Sequence, residues 1–246
     1  MLNKILDLGI SKREAEELLR VSKNIDEDYN KLLDDYPIQY LIGYVDFYGY
    51  KLNVNKNVLI PRYETEYLVE KTINYVKQIF DRKVDILDIG TGSGAISIAL
   101  KKNLESNITA VDISREALDV AKENANINGT IIDFIESDVF SNVKKEFDVI
   151  ISNPPYISED EKIMDSVKKY EPHLALYAKD KGLYFYEKII DESKKYLNKK
   201  FIIAFEIGWW QAESICNIAK KYYHDSKIIV EKDLSQKDRY IFIINE

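Results

Sequence analysis

With 246 residues, 46% of them hydrophobic, the chain can bury a sizeable core and suits one α/β domain of ordinary size with a small appendage. A formal net charge of −7 argues against stable nucleic-acid binding, because phosphate contacts dominate that affinity. One cysteine (Cys216) excludes an internal disulfide or a cysteine metal cluster, two histidines (His173, His224) leave little for a zinc site, and no apolar run approaches the ~18 residues that span a bilayer. No apolar leader follows Met1, so the expectation is a soluble, cytoplasmic chain with no membrane partner.

Residues 1–36 read as a small helical element. Ser11 and Glu14 form a capping-box pattern, and Ala15, Leu18 and Leu19 follow on one face. A second helix is expected over Asn24–Tyr36, ended by Pro37. Residues 37–60 are aromatic and β-rich from Tyr40, with Gly43 and Gly49 as punctuation, and predict a β-hairpin linker. Pro61-Arg62-Tyr63-Glu64-Thr65-Glu66 then opens a helix through Val76, and Arg62, Glu64 and Glu66 are candidates for a cleft mouth.

From Val84 strand and helix alternate, which predicts a parallel sheet covered on both faces. Strands are expected at Val84–Ile89, Ile108–Asp112, Ile131–Ile135, Phe147–Ser152, Phe201–Ile207, Lys227–Glu231 and Tyr240–Ile244, seven in all. Helices are expected at Ser114–Asn128, Leu183–Leu197 and Trp210–Tyr223, with Lys194, Lys195, Lys199 and Lys200 as a solvated helix end and Cys216 on an apolar face. The first strand breaks into Gly90-Thr91-Gly92-Ser93-Gly94, a turn whose backbone N–H groups are expected to face a ligand. Gly-x-Gly-x-Gly is tighter than the dinucleotide fingerprint, which argues against a nicotinamide oxidoreductase. Opened by Asp88, it resembles the first motif of S-adenosylmethionine-dependent methyltransferases.

Ligands in such sheets lie beyond the carboxyl ends of the strands. The second strand ends in Asp112, ~20 residues past the loop, where an acid accepts from ribose hydroxyls. After the third come Asp138, able to accept from an adenine amine, and Val139 and Phe140, able to wall the ring. The fourth ends in Asn153-Pro154-Pro155-Tyr156. The prolines donate no backbone hydrogen bond and hold Asn153 and Pro154 extended, so the turn is stiff and its carbonyls are expected to lack partners. The Asn153 side-chain oxygen and the Pro154 carbonyl can together accept both N–H bonds of a planar –NH2 group, and Tyr156 can stack on it. Such an amine is weakly nucleophilic because its lone pair is delocalised; polarising both N–H bonds returns that pair to nitrogen.

Two classes of enzyme place this tetrapeptide on such a nitrogen: DNA adenine-N6 and protein glutamine-N5 methyltransferases. A third reading is a catalytically silent docking module. Ile60-Pro-Arg-Tyr-Glu-Thr-Glu66, Asp88–Ile96, Ser152–Ile157, Glu171-Pro172 with Ala175-Leu176, and Glu206-Ile-Gly208 with Gln211 together resemble the release-factor glutamine methyltransferase family (HemK/PrmC) over about residues 37–246. The resemblance implies a Rossmann-like seven-stranded methyltransferase domain over 61–246, with residues 1–36 helping to dock a peptide-chain release factor. It implies that Gly90, Thr91, Gly92, Ser93 and Gly94 hold the methionine part of S-adenosylmethionine, that Asp112 takes the ribose, and that Asp138 and Val139 border adenine. It implies that Asn153, Pro154, Pro155 and Tyr156 hold the substrate glutamine, with Asn153 also near the donor. The chain departs from the pattern in two places: Val139 stands where an aromatic is expected, and 36 residues before Pro37 are about half the expected helical domain.

Overall fold

The computed structural model describes residues 1–246. Four short helices open the chain: α1 (Leu2–Leu6), α2 (Lys12–Val21), α3 (Ile25–Leu33) and α4 (Ile38–Ile42). Ser11 caps α2, accepting from the Glu14 N–H at 3.2 Å while its hydroxyl donates to the Glu14 carboxylate at 2.6 Å. Asn24 caps α3 in the same way, accepting from the Glu27 N–H. The helix expected through Tyr36 stops at Leu33, and Asp35 turns left-handed (φ 58°). Pro37 then starts a new helix where strand was expected from Tyr40. Its φ of −58° suits a helix start, and Gly43 (φ 85°) ends that helix. Ile5, Ala15, Leu18, Leu32 and Ile38 form the buried centre of this element, too small a core to stand alone. It is tied to the main domain through Asp34, which accepts from Lys169 at 2.7 Å and from the Tyr170 hydroxyl at 2.6 Å.

The hairpin is β1 (Tyr44–Phe47) and β2 (Tyr50–Asn53), shorter than expected. Tyr48 and Gly49 both have positive φ (51° and 80°), as a two-residue type I′ turn requires. The Tyr48 N–H donates to the Glu66 carboxylate at 2.8 Å, so Glu66 anchors this turn.

The main domain runs α5 (Tyr63–Ile79), β3 (Val84–Ile89), α6 (Ala95–Asn103), β4 (Ser106–Asp112), α7 (Arg115–Ile127), β5 (Asp133–Glu136), β6 (Phe147–Ser152), α8 (Asp165–Tyr170), α9 (Tyr184–Glu192), β7 (Leu197–Glu206), α10 (Ala212–Tyr222), β8 (Lys227–Lys232) and β9 (Asp238–Asn245). The sheet order is β5-β4-β3-β6-β7-β9-β8, with β9 antiparallel to both of its neighbours. This is the expected seven-stranded Rossmann-like sheet. Two boundaries differ materially. Leu197, Lys199 and Lys200 belong to β7, not to a helix end, because α9 gives way at Ser193 to a single 3-10 turn. Trp209 and Trp210 precede α10 and are half exposed.

Period-two alternation sorts the strands between two cores. Ile86, Val149, Ile151, Ile202 and Phe242 face α5 and α6. Leu87, Ile150, Ile203, Phe205 and Ile243 face α9 and α10. Chain order reverses at β3, whose neighbours are β4 and β6, and this switch point opens a crevice at the strand ends. Buried Asn124 of α7 stitches the hairpin to the crevice. Its amide donates to the carbonyls of Asn53 and Ser93, each at 2.9 Å, and accepts from the Asn53 N–H at 2.6 Å. No helix is long and apolar enough to cross a membrane.

Candidate active site

A cavity of about 300 Å³ lies at the carboxyl ends of β3, β4, β5 and β6. That volume is at the lower end of small-molecule sites. Gly90, Gly92, Asp112, Asp138, Val139, Asn153, Pro154 and Pro155 line it, with Val58, Ile113, Pro172, Leu174, Tyr184 and Phe185 as its apolar wall. The structure thus gathers eight of the twelve residues that the resemblance assigns to the donor and the glutamine.

The glycine loop works differently from the expectation. The N–H groups of Gly90 and Thr91 donate to the Val111 carbonyl, that of Gly94 to the Thr91 carbonyl, and that of Gly92 to the Asp112 carboxylate at 2.9 Å. These four donors are therefore used within the protein, and the loop offers close approach rather than a row of free N–H groups. Gly90 (φ 72°) and Gly92 (φ 55°) have open space where a Cβ would stand, so a ligand can lie against the backbone. Thr91, Ser93 and Gly94 are not in the cavity wall. Thr91 and Ser93 are buried, and Gly94 packs so closely on α7 that a Cβ would lie 3.2 Å from that of Ala121. The Thr91 hydroxyl donates to Asp88 at 2.7 Å, as does that of Ser97. Asp88 is fully buried with Oδ1 unpartnered, and burial pushes its carboxyl up to about 6.

Asp112 takes the N–H of Gly92 on one oxygen and that of Ser114 on the other, both at 2.9 Å. Each carboxylate oxygen keeps a lone pair for a ligand, and burial raises the pKa of the group against these bonds. Asp138 pairs with Lys188 at 2.9 Å. Val139 holds a φ of 52°, an outlier for a β-branched residue, pinned where the Ser137 hydroxyl donates to its carbonyl at 2.9 Å. Phe140 does not wall the cavity: it is buried and stacks on Tyr196 with centroids 4.5 Å apart.

β6 and β7 run parallel with Ser152 opposite Phe205, so Asn153 and Glu206 leave the sheet side by side. The Asn153 amide donates to the Thr65 hydroxyl oxygen at 3.2 Å, and the Thr65 hydroxyl donates to Glu206 at 2.7 Å. The Pro154 carbonyl takes no hydrogen bond from the protein, as expected, whereas the Tyr156 carbonyl accepts from the Gln211 amide at 3.2 Å. Tyr156 is not part of the cavity wall. Its ring packs on the α9–α10 side of the core, and burial pushes its hydroxyl up to about 12.

Arg62 turns to Glu171, whose buried carboxylate also accepts from the Ile60 N–H at 3.2 Å. The pair clips the start of α5 to the 172–175 segment that roofs the cavity. Thr65, Glu171 and Glu206 stood in the motifs quoted from the sequence, but spacing alone carried no sign that Thr65 and Glu206 would meet Asn153.

Burial pushes Glu206 up to about 7, against the Thr65 hydrogen bond and the nearby Arg239, with Glu64 adding to the rise. From its ordinary 4.5 up to about 7 the folded chain holds a proton that the unfolded chain releases, so this residue makes stability fall as pH rises through that window. Glu206→Gln should therefore melt higher than the parent at about pH 8 and show a flatter profile from about pH 5 upward, with Asp88 leaving a residual slope of the same sign. Thermal melts across that range test this, and a variant less stable at every pH would show that the fold needs the carboxylate.

Residues 66–170 match the family model described as methyltransferase small domain. A release factor glutamine methyltransferase from Enterococcus faecalis is 43% identical over 231 residues, covering 92% of this chain and 80% of the relative. The protein of that name from Streptococcus pneumoniae is 47% identical over 165 residues, covering 66% of this chain but only 58% of the relative. Among solved structures, a release-factor-specific protein-(glutamine-N5) methyltransferase from Alicyclobacillus acidocaldarius superposes with a TM-score of 0.50 at 25% identity, covering 79% of this chain and 99% of that one. The chain belongs to the release factor glutamine methyltransferase family.

Proposed function

We propose that this chain transfers the methyl group of S-adenosylmethionine to the side-chain amide nitrogen (N5) of the glutamine in the Gly-Gly-Gln tip of peptide-chain release factors. The observation that carries this reading is the juxtaposition of Asn153 and the unbonded Pro154 carbonyl with a cavity that Gly90, Gly92 and Asp112 also line. The residues fit the donor. The loop has room against its backbone at Gly90 and Gly92, Asp112 has spare acceptor capacity for vicinal hydroxyls, and Ile113 and Val139 offer an apolar setting for a planar base. The sulfonium supplies a methyl group already activated by positive charge.

The chain's own residues then prepare the acceptor. The Asn153 side-chain oxygen and the Pro154 carbonyl accept the two N–H bonds of the glutamine amide, which returns lone-pair density to nitrogen and fixes its direction. The two prolines keep these acceptors rigid, so little reorganisation is needed at reaction. The Arg62–Glu171 clip holds the roof that limits water. As the nitrogen–methyl bond forms, the methyl–sulfur bond breaks to leave a neutral thioether, and the amide nitrogen gives up one of its two protons to water; positioning supplies most of the effect, and no strong general base is required. Tyr156 supports the turn from behind rather than stacking on the amide. A release-factor substrate places the reaction in the compartment of translation.

The test is transfer of labelled methyl from S-adenosylmethionine to a release factor, to its Gln→Ala tip variant and to duplex DNA, assayed side by side. Label is expected only in the first. Label in DNA, or undiminished label in the Gln→Ala protein, overturns the reading.

A further inference from the structure

A side-chain amide has nearly the same shape with its oxygen and nitrogen exchanged, so packing alone does not orient it. For Asn153 the two orientations differ in consequence. With oxygen toward the cavity it accepts from an incoming –NH2. Reversed, it presents donors to donors. We propose that Thr65 and Glu206 are positioning residues that hold the Asn153 amide with nitrogen inward and oxygen toward the cavity. This rests on the function proposed above.

The chain of donors decides the direction. An ionised Glu206 can only accept, so the single Thr65 hydroxyl proton goes to it, at 2.7 Å. Thr65 then has only lone pairs left for Asn153, and the atom 3.2 Å away must be the amide nitrogen. Each member is held in place. Thr65 is buried in the first turn of α5, where a β-branched side chain has few rotamers. Glu206 is fixed at the end of β7, where the buried Tyr186 hydroxyl donates to its backbone carbonyl at 2.8 Å. Asn153 is fixed by the proline that follows it. A carboxylate enclosed this completely is costly, and a neutral residue would cap Thr65 at lower cost, which points to orientation rather than stability as its use.

Single-turnover methyl transfer to the release factor at about pH 8, with affinity for S-adenosylhomocysteine measured in parallel, separates positioning from packing. Thr65→Val should slow transfer about tenfold or more, with affinity held within about threefold, and Thr65→Ser should restore most of the rate. On an Asn153→Ala background Thr65→Val should cost less than about twofold, since nothing remains to orient. Glu206→Gln keeps the shape but can turn either its amide oxygen or its amide nitrogen to Thr65. The hydroxyl proton is then no longer committed to residue 206, and transfer should slow in a folded protein, by less than in Thr65→Val. Equal slowing of the parent and of Asn153→Ala by Thr65→Val, or no rescue by serine, overturns the proposal. One further measurement does not depend on turnover. In amide-labelled protein the Asn153 Nδ2 protons should show a nuclear Overhauser contact to the Thr65 side chain. Its absence defeats the orientation whatever the activity, whereas its presence in a parent that transfers no methyl defeats the proposed function instead.

Discussion

Asn153→Ala should slow methyl transfer by about 10²–10³-fold, the usual cost of removing one preorganised acceptor or donor from a reacting centre, while donor affinity changes far less. The asymmetry follows from the wall of the cavity. Gly90, Gly92, Asp112 and the apolar residues around Ile113 and Leu174 remain untouched, so most of the donor surface is intact. The Pro154 carbonyl also remains and polarises one N–H bond. The variant loses the second acceptor and the direction it imposes on the nitrogen lone pair. Single-turnover rates set beside donor dissociation constants check this. A collapse of donor affinity with turnover preserved at saturation would mean that Asn153 serves the donor and not the acceptor.

Gly182→Ala should be the most damaging substitution outside the cavity. Gly182 has φ 83°, and a Cβ there would lie 2.0 Å from the Tyr156 carbonyl oxygen and 2.6 Å from the Gln211 Nε2. Asp180 and Lys181 before it are also left-handed (φ 54° and 56°), so the turn already carries strain. Gln211 brackets the region: its amide nitrogen donates to the carbonyls of Tyr156 (3.2 Å) and Lys181 (3.3 Å), and its oxygen accepts from the Gly208 N–H (3.0 Å). A methyl group must therefore displace the backbone at Tyr156, at the end of the Asn153–Tyr156 turn. The left-handed penalty and the overpacking together cost about 3 kcal/mol or more, a melting shift on the order of 10 °C in a chain of this size. Methyl transfer should fall with it although Gly182 touches no ligand. Denaturant unfolding together with the transfer assay tests both, and a variant with parental stability and rate would refute the bracket. Gly90→Ala and Gly92→Ala meet open space and carry only the backbone penalty in the fold.

The sheet was legible because its signal is repeated. Each strand is an apolar run, each is followed by a helix or turn, and the two ladders of alternate residues that fill the two cores need no long-range knowledge. Boundaries failed where a local cue had two meanings. Pro37 ends one helix and begins another. Lys199-Lys200 is polar enough for a helix terminus, yet those side chains are exposed along the first half of β7. In the site, residues at strand ends were found by rule: Gly90, Asp112, Asp138 and Asn153 all reach the cavity. What periodicity and spacing did not reveal was how side chains spend their hydrogen bonds. Thr91 turns inward to Asp88, the loop N–H groups serve Val111 and Asp112, and Tyr156 faces the core. The meeting of Thr65, Asn153 and Glu206 depends on register across two strands and on a helix residue 88 and 141 positions away from them in sequence.

The inward place of β9 bears on how the molecule is made. It is synthesised after both β7 and β8, yet it lies between them and covers the flank of β7 along Phe201–Glu206. Until those residues leave the ribosome, β7 presents an apolar, unpaired edge of the kind that recruits other chains. Five parallel strands can assemble before β9 emerges, but closure of that edge waits until β9 enters, with its own partner β8 already alongside. Yield during rapid expression should therefore depend on how long that edge stands open, a kinetic hazard that the finished fold does not display.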